Sequence, residues 1–315
     1  MSRKAVFLLC LPLLLILYSC NQNQQPRADD TPTTGSIKIA VDETLKPISE
    51  TWKDTFNALY PQAKISITYM PEAELFKSLV YDSVFFVIAA REPNVEESAI
   101  FAKKFRQPSI NKLAFDGIAV VVNNANGDTL LSMEKILDLL SNKITKWQQI
   151  SPESHNKSEV KVYFDGNKSS IVRYFSDTLP GKKVTFRNSI ILTSCKEVVD
   201  AVAKDKNAIG FINLNWISDD ADSTSQSFLS TVRVAEIAPP DTARTGGFYY
   251  KPYLADLALQ RYPFMRSIYA INTEGRVGLA TGFASFLAGE KGQRIALKSG
   301  ILPATMPVRL VRFTN

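Results

Sequence analysis

Apolar and polar positions along this chain alternate in two successive series of strand and helix patterns. The strand patterns are short apolar runs, and the helical patterns repeat apolar residues every three or four positions. This alternation predicts an α/β fold with mostly parallel sheets that are flanked by helices on both faces. In the first series we predict strands at 37–41, 64–69, 84–89 and 114–123, and helices at 44–60, 72–81 and 94–105.

The second series predicts a second unit of the same kind. Two such runs joined by long apolar crossings predict two lobes with a cleft between them. We assign residues 36–122 and 264–315 to lobe 1 and residues 123–263 to lobe 2. In this part we predict helices at 131–140, 169–179 and 194–204, strands at 160–164, 208–212, 232–237 and 265–271, a loop at 219–225, and two helices over 278–298 that are interrupted near Gly289.

The first twenty residues have the pattern of an export signal. Arg3 and Lys4 precede the apolar run 5–17, which is too short to span a bilayer as a stable helix. Cys20 directly after a small residue resembles the lipidation box of bacterial lipoproteins, and an ordinary signal peptide with an incidental cysteine is the alternative. The resemblance implies a lipoprotein signal peptide at 1–20 and an exported domain, lipid-anchored through Cys20 at a bacterial membrane and facing the periplasm or cell exterior.

The segment after the signal predicts a tether, and the distribution of charge argues against one class of function. Residues 21–36 contain no large apolar side chain, so we predict a flexible tether there. The chain has 37 basic and 31 acidic residues, a net charge of +6 that becomes +4 without Arg3 and Lys4. The basic residues are scattered among acids, which argues against nucleic-acid binding.

The scarcity of histidine and cysteine argues against several kinds of catalytic and metal site. His155 is the only histidine, in a polar loop, and Cys195 is the only cysteine after Cys20. A histidine-dependent triad, a zinc site or an internal disulfide in the folded part is therefore not expected. We expect no cofactor, no metal and no catalytic residues, with an exported hydrolase as the least supported alternative.

Three predicted strand-to-helix junctions are candidates for binding a small oxyanion. Ligands of open parallel sheets bind beyond the carboxyl ends of the strands, where free backbone N–H groups at helix starts attract negative charge. Thr44 and Ser169 also fit ordinary helix N-caps, which is the structural alternative for them. The junctions carry Thr44 at the first, Ala90 and Arg91 at the second, and Ser169, Ser170, Ile171 and Arg173 at the third.

Asp116 interrupts an otherwise apolar strand and needs a partner, because an unpaired buried carboxylate is costly. One interpretation is a structural ion pair with Arg91. The functional alternative is that Asp116 accepts a hydrogen bond from a protonated ligand oxygen. Such a contact would favour monohydrogen phosphate over sulfate, which has no proton to donate.

Six segments resemble, in the same order, phosphate ABC-transporter substrate-binding proteins. The resemblance covers the chain from about Gly35 to Val311 and implies a two-lobe type II periplasmic-binding-protein-like fold that closes on one phosphate by hinge bending. It also implies a monomer that delivers inorganic phosphate, or a similar small oxyanion, to an ABC permease in the inner membrane. The segments lie at 114–123, 141–147 (SNKITKW), 165–174 (DGNKSSIVRY), 206–216 (KNAIGFINLNW), 262–269 and 282–304.

Two departures from the family pattern affect the predicted anion site. The family usually has Ser-Gly-Thr where this chain has Ser169-Ser170-Ile171, and often Ser-Arg or Thr-Arg where it has Ala90-Arg91. The loss of two hydroxyl donors to a charged ligand would weaken binding by about 1.5–3 kcal/mol each, and Lys168 would add compensating charge. The alternative to phosphate capture is therefore a non-transporting sensor or interaction module on the same scaffold, with a degenerate anion cleft.

Overall fold

The computed structural model describes residues 30–151, 154–177, 186–219, 222–240 and 247–306. The predicted signal, Cys20 and residues 21–29 of the predicted tether lie outside the described residues. Within the described ranges, no helix has the length and apolar character needed to cross a membrane.

The described strands and helices alternate over most of the chain. The strands are β1 (Gly35–Asp42), β2 (Ala63–Met70), β3 (Phe86–Ala89), β4 (Ser109–Asn123), β5 (Leu130–Ser132), β6 (Lys161–Phe164), β7 (Ser189–Ile191), β8 (Ala208–Asn213), β9 (Val232–Val234), β10 (Glu236–Ala238), β11 (Met265–Asn272) and β12 (Leu302–Pro303). The helices are α1 (Lys46–Leu59), α2 (Glu72–Val80), α3 (Val95–Lys103), α4 (Met133–Leu140), α5 (Trp147–Ile150), α6 (Ser170–Asp177), α7 (Cys195–Lys204), α8 (Ser223–Thr231), α9 (Leu254–Ala258), α10 (Leu279–Ala288) and α11 (Glu290–Lys298).

Most strands belong to one curled mixed sheet with the order β2-β1-β3-β11-β4-β8-β6-β7. Its two ends are parallel, as the alternating pattern predicts: β1 pairs with β2 and β3, and β6 pairs with β7 and β8. The centre is antiparallel, where β11 and β4 join the two ends. The carboxyl ends of the parallel strands of both halves therefore face one another across this centre.

The long strand β4 is shared by two hydrophobic cores. Its first part pairs with β11 and β12, and its second part pairs with β8 and β9. The first core contains Trp52, whose indole Nε1 donates to the backbone oxygen of Gly292 at 2.9 Å. In the second core the rings of Phe164 and Phe211 stack with centroids 4.8 Å apart. This arrangement is two-lobed, and the residue numbers that we assign to each lobe stay a prediction.

The last residues of the predicted tether 21–36 are part of the fold, which corrects that prediction. Gly35 and Ser36 belong to β1 and pair with β2. The Asp30 carboxylate accepts a hydrogen bond from the backbone N–H of Leu279 at 2.9 Å and forms an ion pair with Arg276. A carboxylate at the start of α10 satisfies a free amide there, so this polar segment is ordered without burying large apolar side chains.

Other predicted elements also differ in the structure. The single strand predicted at 232–237 is two strands, since β9 pairs with β4 and β10 pairs with β5. Residues 219–225 were expected to form a loop, but α8 begins at Ser223, where the Asp222 side chain accepts from the Ser225 N–H at 2.8 Å. The helix predicted at 131–140 begins only at Met133, because the preceding residues form β5 and pair with β10. The interruption predicted near Gly289 is present between α10 and α11.

Candidate functional site

The two lobes meet at the buried guanidinium of Arg266, a residue that the sequence analysis did not single out. Arg266 lies in β11 and its side chain is 2% exposed. Its Nη1 donates to Ser170 Oγ at 2.5 Å, and its Nη2 donates to Thr44 Oγ1 at 2.9 Å. These two hydroxyl oxygens are 3.2 Å apart. Because Thr44 follows β1 and Ser170 opens α6, one guanidinium joins hydroxyl groups of both lobes.

Asp116 is the ion-pair partner of this guanidinium. The register of β4 and β11 places Asp116 opposite Arg266, with 3.5 Å between Asp116 Oδ2 and Arg266 Nε. Burial raises the pKa of Asp116 to about 6, although the charge of Arg266 acts to lower that pKa. The predicted pairing of Asp116 with Arg91 is wrong, because strand register supplies a nearer cation.

Arg91 and Arg173 instead bind acidic side chains. Both pair with the buried carboxylate of Glu72: Arg91 Nε lies 3.3 Å from Glu72 Oε1, and Arg173 Nε makes a shorter contact with the same oxygen. Arg91 Nη1 also lies 2.7 Å from Glu97 Oε2. Burial raises the pKa of Glu72 and the charge of Arg173 opposes that shift. The two arginine charges are therefore largely neutralised within the protein.

The second predicted junction, at Ala90 and Arg91, contributes a hydrogen-bond acceptor from its backbone and no side-chain donor from Ala90. The backbone oxygen of Ala90 accepts a hydrogen bond from Arg173 Nη2 at 3.3 Å. This bond crosses between the lobes, since Ala90 follows β3 and Arg173 lies in α6. The junction therefore helps to hold the lobes together, and its alanine side chain adds no hydrogen bond to a ligand.

At the third junction, Ser170 is the hydroxyl that contacts Arg266. Ser169 Oγ accepts from the Val172 N–H at 3.2 Å, which is the N-cap interpretation of this residue. Ile171 is fully buried in the second core. Lys168 does not bring its charge to the site, because its half-exposed ammonium pairs with Glu74 at 2.5 Å. The compensation expected from Lys168 is therefore not realised.

Two further buried carboxyl groups, of Asp42 and Asp165, lie at this meeting point. Asp42 ends β1, and its Oδ1 accepts from the Thr44 N–H at 3.0 Å, so Asp42 caps the turn and the Thr44 hydroxyl is available to Arg266. Asp165 follows β6, and its Oδ2 accepts a weak bond from Cys195 Sγ at 3.8 Å. Within the described residues, Asp42 Oδ2 and Asp165 Oδ1 are buried without a hydrogen-bond partner.

The pKa of Asp165 is strongly perturbed by this environment. Burial raises it to about 7, and the nearby charge of Asp42 acts in the same direction. The Ser169 side chain and the charge of Arg266 act to lower it. Asp165 can therefore gain or lose a proton near neutral pH, in the same buried layer as Arg266.

The backbone oxygen of Thr44 provides another tie between the lobes. It accepts hydrogen bonds from Asn213 Nδ2 at 2.9 Å, from Asn215 Nδ2 at 3.1 Å and from Trp216 Nε1 at 3.1 Å. All three donors belong to the second lobe. Together with the contacts of Arg266, these hydrogen bonds join the two lobes at Thr44.

The site thus contains part of the predicted residue set and several residues that were missed. Thr44, Asp116 and Ser170 contact Arg266, whereas Arg91, Arg173 and Ala90 form a neighbouring network and Cys20 lies outside the described residues. The sequence did contain a signal for the Arg266–Asp116 pair. Each residue places a charge within a largely apolar strand, and the two charges are opposite in sign. Among the residues that the structure describes, no group of three or more His, Cys, Asp or Glu side chains is placed to hold a metal ion.

Comparison with known proteins relates this architecture to proteins that bind phosphate. The family model described as "PBP superfamily domain" matches residues 26–291. The protein SphX of Synechococcus elongatus is 23% identical over 180 residues, which cover 56% of this chain and 53% of SphX. The phosphate-binding protein PstS 2 of Streptococcus agalactiae is 27% identical over 119 residues, 38% of this chain and 39% of that protein. The chain thus spans about half or less of the length of these curated relatives.

Solved structures match over a larger part of the chain. A phosphate ABC transporter substrate-binding protein with bound phosphate from Clostridium perfringens has a TM-score of 0.70 and 20% identity, covering 86% of this chain and 100% of that chain. An ABC-type phosphate transport receptor from Vibrio cholerae has a TM-score of 0.62 and 19% identity, with coverage of 86% and 100%. The predicted α/β, type II periplasmic-binding-protein-like fold is confirmed.

Proposed function

Because this chain belongs to the PBP superfamily, we propose that it captures inorganic phosphate, or a similar small oxyanion, for an ABC import system. The observation that carries this proposal is the buried Arg266 guanidinium between Thr44 Oγ1 and Ser170 Oγ. A cation and two hydroxyl groups from opposite lobes are a donor set suited to an anion held between those lobes. The relatives and structural neighbours named for phosphate support the choice of anion.

Binding in this proposal replaces contacts within the protein by contacts to the anion. The direct contact between Thr44 and Ser170 opens, and both hydroxyl groups and Arg266 turn their hydrogen bonds to the ligand. The first amides of α6 lie beside Ser170 and add the positive end of a helix dipole. Asp116 accepts a hydrogen bond from a protonated ligand oxygen, which distinguishes phosphate from sulfate. Closure of the lobes then removes the anion from water.

The cellular setting of this proposal rests on the pattern of the first twenty residues and on the resemblance to phosphate ABC-transporter substrate-binding proteins. The chain is exported, lipidated at Cys20 and held at a bacterial membrane as a monomer. It releases its anion to an ABC permease in the inner membrane. It performs no chemistry on the anion, so its function is binding and delivery.

Isothermal titration of the chain from residue 21 onward tests the proposal. Phosphate should give a saturable heat and sulfate a much weaker one. Arg266→Lys should reduce phosphate affinity by tenfold or more, because lysine cannot reach both hydroxyl groups with a planar fork. Arg294→Lys is the matched control, since Arg294 is exposed and pairs only with Glu290 among the described ion pairs. A lack of heat with phosphate between about pH 5 and 8 would exclude phosphate capture.

A non-transporting sensor or interaction module with a degenerate anion cleft is the second candidate. It is favoured by the direct Thr44–Ser170 contact at 3.2 Å and by three buried carboxyl groups beside one guanidinium. A variant that combines Ala90→Ser with Ile171→Thr discriminates the two candidates. Phosphate affinity that is present only in this variant would mean that the natural cleft has lost anion binding.

A further inference from the structure

We propose that the carboxylate of Glu72 is an internal anion that occupies the guanidinium groups of Arg91 and Arg173, and that an external oxyanion must displace it. This inference rests on the proposed function and names a residue that limits the affinity of the site. It follows from the burial of Glu72, from the geometry of its two ion pairs and from the contacts between the start of α2 and the start of α6.

Glu72 contacts two guanidinium groups in the way that an oxyanion would. Its Oε1 pairs with Arg173 Nε and lies 3.3 Å from Arg91 Nε, and its Oε2 accepts from Arg173 Nη2 at 3.4 Å. Arg173 thus binds both carboxylate oxygens, the two-point arrangement that a guanidinium group makes with carboxylates and phosphates. Burial and the charge of Asp42 raise the pKa of Glu72, and the charges of Arg173 and Arg91 lower it. The ionised form of Glu72 therefore depends on these two arginines.

The two arginines differ in how much they depend on Glu72. Arg91 also donates to Glu97 through both terminal nitrogens, at 2.7 and 2.8 Å. Arg173 has Glu72 as its only acidic partner among the described ion pairs, and its Nη2 also donates to the backbone oxygen of Ala90. Removal of the Glu72 charge therefore leaves the guanidinium of Arg173 without a counter-charge, whereas Arg91 keeps Glu97.

The guanidinium of Arg173 lies beside a hydroxyl group that the proposed anion contacts. Ser170 and Arg173 are three residues apart in α6, so both lie on the same side of its first turn. The first amides of this helix also attract negative charge. An oxyanion that reaches Ser170 can therefore bind Arg173 with a planar fork only after Glu72 withdraws.

Glu72 also belongs to a set of contacts that join the two lobes. The next residues of α2 contact the segment before α6: the Ala73 N–H donates to the Lys168 backbone oxygen at 3.4 Å, and the Glu74 carboxylate pairs with the Lys168 ammonium. The pair of Glu72 with Arg173 is buried on the Glu72 side, whereas the pair of Glu74 with Lys168 is exposed and screened by solvent. The internal anion thus joins the lobes before a ligand arrives, and this reduces the free energy that the ligand gains by joining them.

Calorimetric titration of Glu72→Gln with inorganic phosphate tests the inference. Glutamine keeps the size of the side chain and removes its charge. We expect this variant to bind phosphate about tenfold more tightly than the natural chain, because a hydrogen bond to a charged group contributes a factor of about this size. Glu74→Gln is the matched control, since Glu74 also pairs across the lobes but its described ion pair is exposed and formed with Lys168. Its phosphate affinity should equal that of the natural chain.

A double variant tests whether Arg173 is the group that Glu72 occupies. Addition of Arg173→Gln to Glu72→Gln should abolish the gain in phosphate affinity, because the gain depends on the freed guanidinium. A gain that persists in the double variant overturns the inference. If Glu72→Gln does not fold, as judged by circular dichroism, Glu72→Asp decides in its place. Aspartate is one methylene shorter and should hold Arg173 less well, so phosphate affinity should rise by a smaller factor, and an unchanged or lower affinity overturns the inference.

The outcomes separate this inference from the proposed function. Phosphate binding by the natural chain, with the same or a lower affinity in Glu72→Gln, overturns the internal anion and leaves phosphate capture intact. Phosphate binding by Glu72→Gln alone supports the internal anion and overturns phosphate capture by the natural chain. Phosphate binding by neither chain overturns both, since the freed Arg173 then attracts no oxyanion.

Discussion

Replacement of Arg266 by methionine tests the buried ion pair at the centre of the molecule. Methionine keeps an unbranched apolar stem of similar length but removes the guanidinium. The change leaves Asp116 without its cation and takes hydrogen-bond donors away from Thr44 and Ser170. Removal of one partner of a buried ion pair destabilises proteins by about 3–5 kcal/mol. We expect a loss of this size in the free energy of unfolding at about pH 8.

The loss should depend on pH in a defined direction. The pKa of Asp116 in the folded state is already raised to about 6 by burial, and removal of the Arg266 charge raises it further. A carboxyl group whose pKa is higher in the folded state than in the unfolded state favours folding when it is protonated. This contribution to the free energy of unfolding is fully present below the unfolded-state pKa and is lost as pH rises through the folded-state pKa. The deficit of Arg266→Met should therefore be smaller at about pH 5 than at about pH 8, by roughly 1 kcal/mol or more.

Urea unfolding followed by tryptophan fluorescence measures both effects, since Trp52 and Trp147 are buried in different cores. The double variant Arg266→Met with Asp116→Leu is the matched control. It removes both charges together and should be closer to the natural chain than Arg266→Met alone. A loss under 1 kcal/mol at about pH 8, or the same loss at both pH values, would refute a desolvated Arg266–Asp116 pair.

Three other substitutions test packing and surface charge. Gly210→Ala should lower the free energy of unfolding by about 1–3 kcal/mol, because a Cβ at this position of β8 would lie 2.7 Å from Val198 Cγ1 and 2.8 Å from Val202 Cγ2; Gly127→Ala, which meets no atom within 4 Å, is its control in urea unfolding. Gly282→Ala should displace residues 30–34, because its Cβ would lie 1.8 Å from the Pro32 backbone oxygen, and limited proteolysis should then cleave before Gly35 more rapidly than in the natural chain. Lys168→Ala should change the midpoint of thermal unfolding little, since its ion pair with Glu74 is exposed and screened by solvent. A large drop would mean that this contact holds the lobes together.

The elements that the sequence predicted well are those with strong apolar periodicity. β3 and residues 118–122 of β4 are continuous apolar runs, and α1 carries a clear apolar stripe. Helix α8 was missed because its sequence STSQSFLST is mostly polar, and Phe228 is the one large side chain that it buries. Its start depends on the Asp222 cap, a local hydrogen bond that a hydrophobic pattern does not reveal.

The candidate site was predicted less completely, because the ion-pair partner of a buried side chain depends on how the strands pair. The pattern identified Asp116 as a carboxylate that needs a partner, but it offered no means to choose between Arg91 and Arg266. That choice follows from the pairing of β4 with β11, which brings together residues 150 positions apart. The sequence analysis also overlooked Asp42 and Asp165. An acidic residue at the end of a strand is common, and its importance is visible only when the neighbouring strand ends are known.

The continuity of β4 has a consequence for how this molecule denatures. One part of this single strand hydrogen-bonds to the sheet of the first core, and the rest bonds to the sheet of the second. Loss of either core frees a segment of backbone that directly continues into the other and weakens the pairing there. The molecule should consequently melt as one cooperative unit, with a single calorimetric peak, although β4 contributes to two separate hydrophobic cores.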